Sequence, residues 1–238
     1  MRYMGGKSRI SKNISEIINN EIDKNGQKCF VSLFCGSCSV EAKVNCDKKI
    51  LNDKHPYLIE MWHGLQNGWT PPSIVTQEEY NYVKNHLDEN KALSGFVGFG
   101  CSFGGKWFGG FARDRGDYDY CQGAKRSTMM CLQHLRDAEF ICMDYKDVII
   151  PDNSVVYADP PYYNTTKYIT DDFNHEEFWE YMRYISKNNT VFISEQIAPS
   201  DFIPIWEKEL KRKLDCNKSN QFDATEKLFI YGGNIGEV

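Results

Sequence analysis

The apolar positions at the start of the chain predict a helix followed by a buried strand. Isoleucines recur at helical spacing between Ile10 and Ile22, and Gly26 stands where the C-cap of a helix is expected. Residues 29–34 then form a continuous apolar run rich in β-forming side chains, and Gly36 interrupts it. A helix, a strand and a small-residue turn in this order are typical of the beginning of an α/β sheet.

The alternation of strands and helices continues through most of the chain. A short helix is expected from about residue 39, and a second strand, residues 49–51, leads to Asp53. Further helices are expected at 127–138 and 174–187, and further strands at 140–143, 154–158, 190–195, 211–216 and 227–231. Seven strands, most of them alternating with helices, predict an α/β fold with a largely parallel sheet.

Residues 56–122 do not follow this pattern and are predicted to form an insertion. Thr76 and Glu79 have the spacing of a capping box, so we expect a helix to begin at Thr76. Residues 95–110 contain seven glycines interleaved with five aromatic side chains. Regular secondary structure is not expected in so glycine-rich a segment, and loops with a hairpin are predicted there.

Composition restricts the class of protein. The chain has 238 residues, of which 41% are hydrophobic and 26% are charged, as is typical of a globular protein with one full core. Nine cysteines without a repeating spacing favour a reducing cytoplasm over a disulfide framework. No apolar run reaches the roughly 18 residues of a membrane helix, and no signal peptide is expected. The formal net charge of -5 argues against a protein whose whole surface binds nucleic acid.

The turn after the first strand, Cys35-Gly36-Ser37-Cys38, supports two interpretations. A small-residue turn lets a ligand approach the backbone, and an acidic residue after the next strand, here Asp53, can bind ribose hydroxyls. The same four residues also form a CxxC pair before a helix, as in thioredoxin-like redox proteins. Zinc is a weaker interpretation, because there is no second CxxC pair and the five histidines lack ligand spacing.

The strongest motif is Asp159-Pro160-Pro161-Tyr162, directly after the apolar residues 155–158. Two prolines cannot continue a strand, so the backbone turns outward at the carboxyl end, where ligands of open α/β sheets bind. Asp159 offers a carboxylate, Pro160 a carbonyl and Tyr162 an aromatic face at one point. This combination suits a planar base that carries an exocyclic amino group.

Five short motifs follow one another in a characteristic order. They are Tyr3-Met4-Gly5-Gly6-Lys7, Phe34-Cys35-Gly36, Asn52-Asp53, Asp144-Tyr145 and Asp159-Pro160-Pro161-Tyr162. Together they resemble the Dam-type (D12 class) adenine-specific DNA methyltransferases. The resemblance implies a Rossmann-like, S-adenosylmethionine-dependent methyltransferase sheet built from residues 1–55 and 123–238. Residues 56–122 would be an inserted, mostly helical and loop-forming target-recognition region.

The resemblance also assigns roles to residues. Cofactor binding falls on Tyr3, Lys7, Phe34, Gly36, Asp53, Asp144 and Asp159. Within this set, Asp53 would accept the ribose hydroxyls and Asp144 would contact the adenine of the cofactor. The catalytic tetrapeptide would be Asp159, Pro160, Pro161 and Tyr162. One position departs from the family: Cys38 stands where the second glycine of the turn is usual, and its Cβ is expected to crowd the cofactor.

The implied partner is double-stranded DNA, with neither a metal nor an obligate protein partner expected. Residues 104–126 carry a local charge of +2, and arginines and lysines bind phosphates or guanine edges. The candidate DNA contacts are Lys106, Arg113, Arg115 and Lys125. A compact enzyme of this kind suits a phage or prophage and the cytoplasm of its host.

The expected reaction is direct transfer of a sulfonium methyl group to N6 of an adenine flipped out of the duplex. Related enzymes that modify cytosine N4 or protein glutamine more often carry Ser or Asn where Asp159 stands. An enzyme acting on RNA remains an alternative. A non-catalytic protein that binds the cofactor or DNA is an alternative from another class, and Cys38 supports it.

Overall fold

The structure, a computed structural model, describes residues 1–113, 119–162, 173–213 and 221–234. Its α-helices are α1 (Ser11–Asn25), α2 (Pro56–Gln66), α3 (Gln77–Asn85), α4 (Lys91–Gly100), α5 (Tyr120–Leu132) and α6 (His175–Ile185). Its strands are β1 (Cys29–Ser32), β2 (Lys48–Asn52), β3 (Glu139–Ile141), β4 (Val155–Ala158), β5 (Thr190–Glu195), β6 (Phe202–Lys213) and β7 (Gln221–Tyr231). Among these residues, no helix combines the length and the apolar character needed to cross a membrane.

The seven strands form one sheet in the order β3-β2-β1-β4-β5-β7-β6. Strands β1 to β5 run parallel to one another, whereas β7 runs antiparallel to both β5 and β6. The order of the parallel strands reverses between β1 and β4, and this reversal is the switch point of a doubly wound, Rossmann-like sheet. The fold class predicted from the sequence is therefore confirmed.

The first helix and strand form where the apolar pattern predicts them. Ile14 and Ile18 of α1 are buried against the sheet. The helix ends at Gly26, whose φ of 66° is the left-handed conformation that glycine adopts without a Cβ penalty. The Gly26 amide donates to the Ile22 carbonyl at 2.8 Å, and the chain then turns into β1.

The helices of residues 56–122 share an apolar core with the sheet. Trp62 of α2 is fully buried, and its ring stacks on Phe140 of β3 with centroids 5.4 Å apart and planes 3° apart. Side chains of α1, β1 and α4 belong to the same buried cluster. The expected boundary at residue 122 falls inside α5. A role in target recognition remains a prediction for this region, whose packing is continuous with that of the sheet.

The prediction of loops throughout residues 95–110 is wrong, because α4 continues to residue 100. A Cβ on Gly95 would lie 2.0 Å from the carbonyl oxygen of Tyr57, and one on Gly98 would lie 2.2 Å from the ring of Trp107. The two glycines therefore allow α2 and Trp107 to approach the helix backbone. This packing offsets the cost of about 1 kcal/mol that each glycine imposes on a helix interior.

Two predictions for short elements have different outcomes. Ser102 and Phe111 form an antiparallel bridge, so the hairpin predicted in the glycine-rich segment is present. The helix expected from residue 39 is a single 3-10 turn, Glu41–Lys43. Such a turn is too short to show a helical apolar period, so the sequence could not define its length.

Several element boundaries were misplaced by the sequence pattern, among them the starts of β6, β7 and α5. β6 begins at Phe202 instead of residue 211, and Pro204 lies inside it, which an edge strand tolerates because one side forms no ladder. The helix expected from residue 127 begins earlier, after Asp119, whose carboxylate caps it by accepting the amide of Gln122 at 2.8 Å.

Candidate active site

The carboxyl ends of the parallel strands meet at one edge of the sheet, at the switch point. The register pairs Ser32 of β1 with Tyr157 of β4, and β2 lies on the other side of β1. The segments that follow these strands carry Gly36, Asp53 and Asp159, so they leave the sheet side by side. The structure thus brings together three motifs that are distant in the chain.

Asn52, the last residue of β2, ties neighbouring strand ends together. Its Nδ2 donates to the carbonyls of Leu33 at 2.9 Å and Met143 at 3.2 Å, and its Oδ1 accepts the Met143 amide at 3.1 Å. The Asn52 carbonyl accepts the amide of Cys35 at 2.7 Å. Asn52 therefore fixes the edge of the sheet and leaves Asp53 as the ligand-binding candidate of the pair.

The carboxylate of Asp53 holds the turn after β1. It accepts the amides of Gly36 and His55, each at 2.9 Å. Burial raises the pKa of Asp53, and the two amide donors oppose that rise. Gly36 has a φ of 48°, and a Cβ there would lie 3.0 Å from the ring of Tyr3. The turn therefore requires glycine. The Asp53 carboxylate retains lone pairs that can accept hydrogen bonds from hydroxyl groups.

Cys38 lies in the apolar core instead of lining an open pocket. Its φ of 55° is the left-handed conformation, uncommon for a residue with a Cβ, and its side chain is fully buried together with that of Cys35. The expected crowding of the cofactor by this side chain is therefore corrected. Burial raises the pKa of Cys35 to about 11 and that of Cys38 well above its ordinary value. Redox-active pairs depend on a low thiol pKa, so the redox interpretation loses its support.

Lys7 contacts the predicted catalytic tetrapeptide. Its Nζ lies 2.7 Å from Oδ1 of Asp159 and 4.4 Å from the ring centroid of Tyr162. The same ammonium donates to the carbonyl of Gly5 at 3.1 Å, and the side chain is only 6% exposed. A short, buried ion pair of this kind fixes the orientation of both partners. The sequence motif placed Lys7 near the cofactor, whereas the structure shows which carboxylate it meets.

Glu226 of β7 is a site residue that the sequence analysis missed. Its carboxylate accepts the hydroxyl of Tyr162 and lies 3.9 Å from Nζ of Lys7. The side chain is 2% exposed. Nothing in the pattern of β7 distinguishes this glutamate from its charged neighbours, because only the sheet order brings β7 toward β4.

Glu195, the last residue of β5, is a second missed site residue. It is 3% exposed, and its Oε1 accepts the amide of Gln196 at 2.8 Å. Burial raises the pKa of Glu195 to about 7, and the charge of Asp159 adds to the rise. Asp53 likewise lies at the end of a buried strand. The rule that selected Asp53, an acidic residue at a strand end, could therefore have found Glu195 as well.

Phe34 and Asp144 lie on the β3 side of the switch point. The Phe34 ring is 5.3 Å from that of Tyr145, centroid to centroid. The Asp144 carboxylate accepts the amide of Lys146 at 3.2 Å and lies 3.5 Å from Nζ of Lys54. An aromatic wall beside a carboxylate suits a purine ring with an amino group, as the resemblance implies for these positions.

Two of the candidate DNA contacts are exposed, and one of them, Lys106, lies in a turn beside the segment that carries Tyr3 and Lys7. Lys106 and Arg113 are exposed. The turn that contains Lys106 packs on that segment, because the carbonyl of Gly105 accepts the amide of Met4 at 3.1 Å. Positive charge is therefore available beside the carboxyl edge of the sheet.

The other two candidates are placed differently. Lys125 is half-buried on α5 and donates to the hydroxyl of Ser73 at 2.9 Å. Arg115 lies outside the described residues. Lys125 therefore already has a partner within the protein, whereas the side chains of Lys106 and Arg113 are exposed to solvent.

A cavity of about 560 Å³ opens at the opposite, amino-terminal edge of the sheet. Gln27, Lys49 and His134 are among the residues that line it. None of the predicted catalytic or cofactor residues does so. Cavity volume alone would place a ligand site at the amino-terminal edge. The convergent carboxylates and the switch point instead favour the carboxyl edge as the candidate active site.

Comparison with known families bears on this site. Residues 3–96 match the model of the D12 class N6 adenine-specific DNA methyltransferase family. The matched segment contains five of the predicted cofactor residues, namely Tyr3, Lys7, Phe34, Gly36 and Asp53. Asp144 and the predicted catalytic tetrapeptide lie beyond it.

A curated relative of this chain is the type II methyltransferase M.FokI of Planomicrobium okeanokoites. The two are 22% identical over an alignment of 211 residues, and the alignment covers 78% of this chain and 32% of the relative. The chain therefore spans about a third of the length of that relative.

Solved methyltransferase structures overlap with the chain only loosely. One, from Pyrococcus horikoshii, is provisionally described as an RNA methyltransferase; it has a TM-score of 0.43 and 8% identity, covering 93% of this chain and 83% of that one. The tRNA (m1A58) methyltransferase of Aquifex aeolicus has a TM-score of 0.37 and 9% identity, covering 93% and 68%. Both scores are below 0.5, so the fold assignment rests on the strand order.

Proposed function

We propose that the chain is an S-adenosylmethionine-dependent methyltransferase that modifies N6 of adenine in double-stranded DNA. The observation that carries this proposal is the position of Asp159. Its carboxylate is paired with buried Lys7 at 2.7 Å, at the switch point and beside the turn that Asp53 holds. The match of residues 3–96 to the D12-class family model supports the same activity.

The residues at the edge fit the cofactor. Gly36 offers a backbone without a Cβ, and Asp53 offers acceptors for the ribose hydroxyls. Phe34 and Asp144 hold the adenine end. When bound, the cofactor supplies a methyl group on a positively charged sulfur. The carboxylates around Lys7 outnumber its single ammonium, and this excess of negative charge suits a cationic ligand.

The protein's own contribution is to position and polarise the target amino group. The carboxylate of Asp159 and the carbonyl of Pro160 accept hydrogen bonds from adenine N6, which favours a pyramidal nitrogen with a localised lone pair. Both acceptors also stabilise the positive charge that develops on that nitrogen, so the rate gain comes from preorganised electrostatics. Lys7 keeps the Asp159 carboxylate in one orientation throughout.

Tyr162 receives the target base. The amino group is inaccessible in a stacked duplex, so the adenine leaves the stack at a cost of a few kcal/mol. Stacking on an aromatic ring returns about 1–3 kcal/mol per base. The bond to Glu226 fixes the hydroxyl end of Tyr162, and Lys7 lies over the ring at 4.4 Å. These two contacts hold the ring of Tyr162 in one orientation, in which it can stack on the base.

The decisive experiment is transfer of a tritiated methyl group from S-adenosylmethionine to duplex DNA, followed by sequencing of the modified sites. We expect label in N6-methyladenine at a defined sequence. Label in cytosine N4, label in RNA alone, or cofactor binding without transfer would each replace this function with one of the alternatives.

The cofactor turn can be tested with a pair of opposite substitutions. We expect Gly36→Ala to weaken S-adenosylmethionine binding about tenfold, because a left-handed φ costs an L residue about 1–2 kcal/mol and the new methyl displaces the Tyr3 ring. Cys38→Gly should change the affinity by less than about threefold, since the Cys38 side chain lies in the core. Calorimetric titration measures both. Equal affinities for the two variants would mean that the turn does not hold the cofactor.

The DNA interface can be tested by charge reversal. Lys106→Glu and Arg113→Glu should each weaken DNA binding, and the slope of log K against log salt should fall by about 1 for each lost phosphate contact. Lys28→Glu, an exposed lysine at the amino-terminal edge, is the matched control and should leave both quantities unchanged. Binding titrations at several salt concentrations make the comparison. If only Lys28→Glu lost affinity, DNA would bind at the amino-terminal edge of the sheet, and the proposed interface at the carboxyl edge would be wrong.

A further inference from the structure

Four charged side chains from four separate segments form what we call the acidic cluster: Lys7, Asp159, Glu195 and Glu226. Nζ of Lys7 lies 2.7 Å from Asp159 and 3.9 Å from Glu226. Glu195 interacts electrostatically with the other three. In this group one ammonium faces three carboxylates, all of them at the carboxyl edge of the sheet.

Glu195 has an oxygen with no partner. Its Oε2 is buried and accepts no hydrogen bond from any residue that the structure describes, whereas Oε1 accepts the Gln196 amide. A cation on the neighbouring strand does not compensate it: Lys227, which pairs with Glu195 in the sheet register, lies 3.9 Å from Glu207. A buried carboxylate without a partner is costly, so Glu195 requires either a proton or a further positive charge nearby.

We propose that the acidic cluster discriminates the cationic cofactor from its neutral product, with Glu195 exchanging a proton for the positive charge of the sulfonium. This inference rests on the proposed function. S-Adenosylmethionine carries that charge on sulfur, and S-adenosylhomocysteine, the thioether left after methyl transfer, does not. Glu195 gives its proton to solvent when the cation binds. Glu195 then regains one proton when the amino group, on accepting the methyl, loses one, so the net charge of the buried site is conserved.

The direction of the pH dependence follows from the groups around Glu195. Burial, Asp159 and Glu226 raise its pKa to about 7, and Lys7 opposes them. A nearby cation lowers that pKa, so binding of S-adenosylmethionine and ionisation of Glu195 favour each other. Affinity for the cation therefore rises with pH through about 7. A decrease of one pKa unit on binding corresponds to a tenfold gain in affinity.

The test is calorimetric titration of the full chain with each ligand at pH 7, in two buffers with different ionisation enthalpies. The wild type should release about half a proton on binding S-adenosylmethionine and almost none on binding S-adenosylhomocysteine. Its ratio of the two affinities should rise about tenfold between pH 6 and pH 8.5. Glu195→Gln keeps the shape of the side chain and removes its titration. In this variant, binding of S-adenosylmethionine should release almost no proton, and the ratio of the two affinities should not change with pH.

Two controls separate this effect from a structural one. Glu207→Gln removes an exposed carboxylate on β6 and should behave as the wild type. Thermal unfolding should show that Glu195→Gln is at least as stable as the wild type at pH 8, because it no longer buries an unpaired charge. Proton release that persists in Glu195→Gln would overturn the inference while leaving the methyltransferase function intact. Failure of the wild type to bind either ligand would instead overturn the proposed function.

Discussion

Replacing Asp159 with asparagine is expected to lower the rate of methyl transfer by about 100- to 1000-fold. Removal of one preorganised electrostatic partner of a developing charge has an effect of this size in other enzymes. Asparagine keeps the shape and one acceptor oxygen but loses the charge that stabilises the methylated nitrogen. Asp159→Ala loses both and should abolish transfer. Single-turnover transfer of a labelled methyl group to duplex DNA measures these rates.

The same variants should keep most of their cofactor affinity. Gly36 and Asp53 are untouched by the change, and Lys7 retains Glu226 at 3.9 Å, so we expect calorimetric affinities within about tenfold of the wild type. Asp47→Asn makes the identical chemical change at an exposed position of the amino-terminal edge and should leave the rate unchanged. Near-normal turnover in Asp159→Asn would contradict the mechanism.

Trp62→Ala is expected to destabilise the fold by about 3–5 kcal/mol, the largest effect on stability that we predict. Trp62 is fully buried between α2 and the sheet, stacked on Phe140, and its Nε1 donates to the carbonyl of Gly36 at 3.4 Å. The substitution leaves a cavity in the core that the helices of residues 56–122 share with the sheet. Urea unfolding followed by far-ultraviolet circular dichroism measures the free energy.

A matched exposed aromatic residue shows whether burial is the cause. Tyr184 on α6 is 68% exposed, and Tyr184→Ala should change the free energy of unfolding by less than about 0.5 kcal/mol. Trp62→Phe keeps an aromatic ring and should lose less than Trp62→Ala. If the alanine variants at positions 62 and 184 unfolded at the same urea concentration, the helices of residues 56–122 would not be part of the same cooperative unit.

Elements that depend on neighbours a few residues away could be predicted from the sequence. The capping box at α3 is present, with Thr76 and Glu79 each accepting the other's amide, at 3.1 Å and 2.7 Å. The C-cap at Gly26 and the strands before Gly36 and Asp159 also lie where the pattern placed them. Caps, turns and strand ends are decided by local backbone chemistry, which a short window of sequence contains.

Elements that depend on distant neighbours could not be predicted in this way. The glycines at positions 95 and 98 suggested loops because a sequence window penalises glycine in a helix, whereas the contacts with Tyr57 and Trp107 decide the outcome. The set of side chains that form the shared core likewise depends on which helices pack against the sheet. Close packing between elements overrides local propensity. A short window of sequence does not contain the distant residues that make these contacts.

The sequence by itself determined the α/β class, the order of the motifs and the position of Asp159 directly after a buried strand. Only the tertiary structure decided that Lys7 pairs with Asp159, that Cys38 belongs to the core, and that Glu195 and Glu226 join the site. The physical reason is one of range. Backbone propensities act over a few residues, whereas burial and charge act through space between strands that the sheet order brings together.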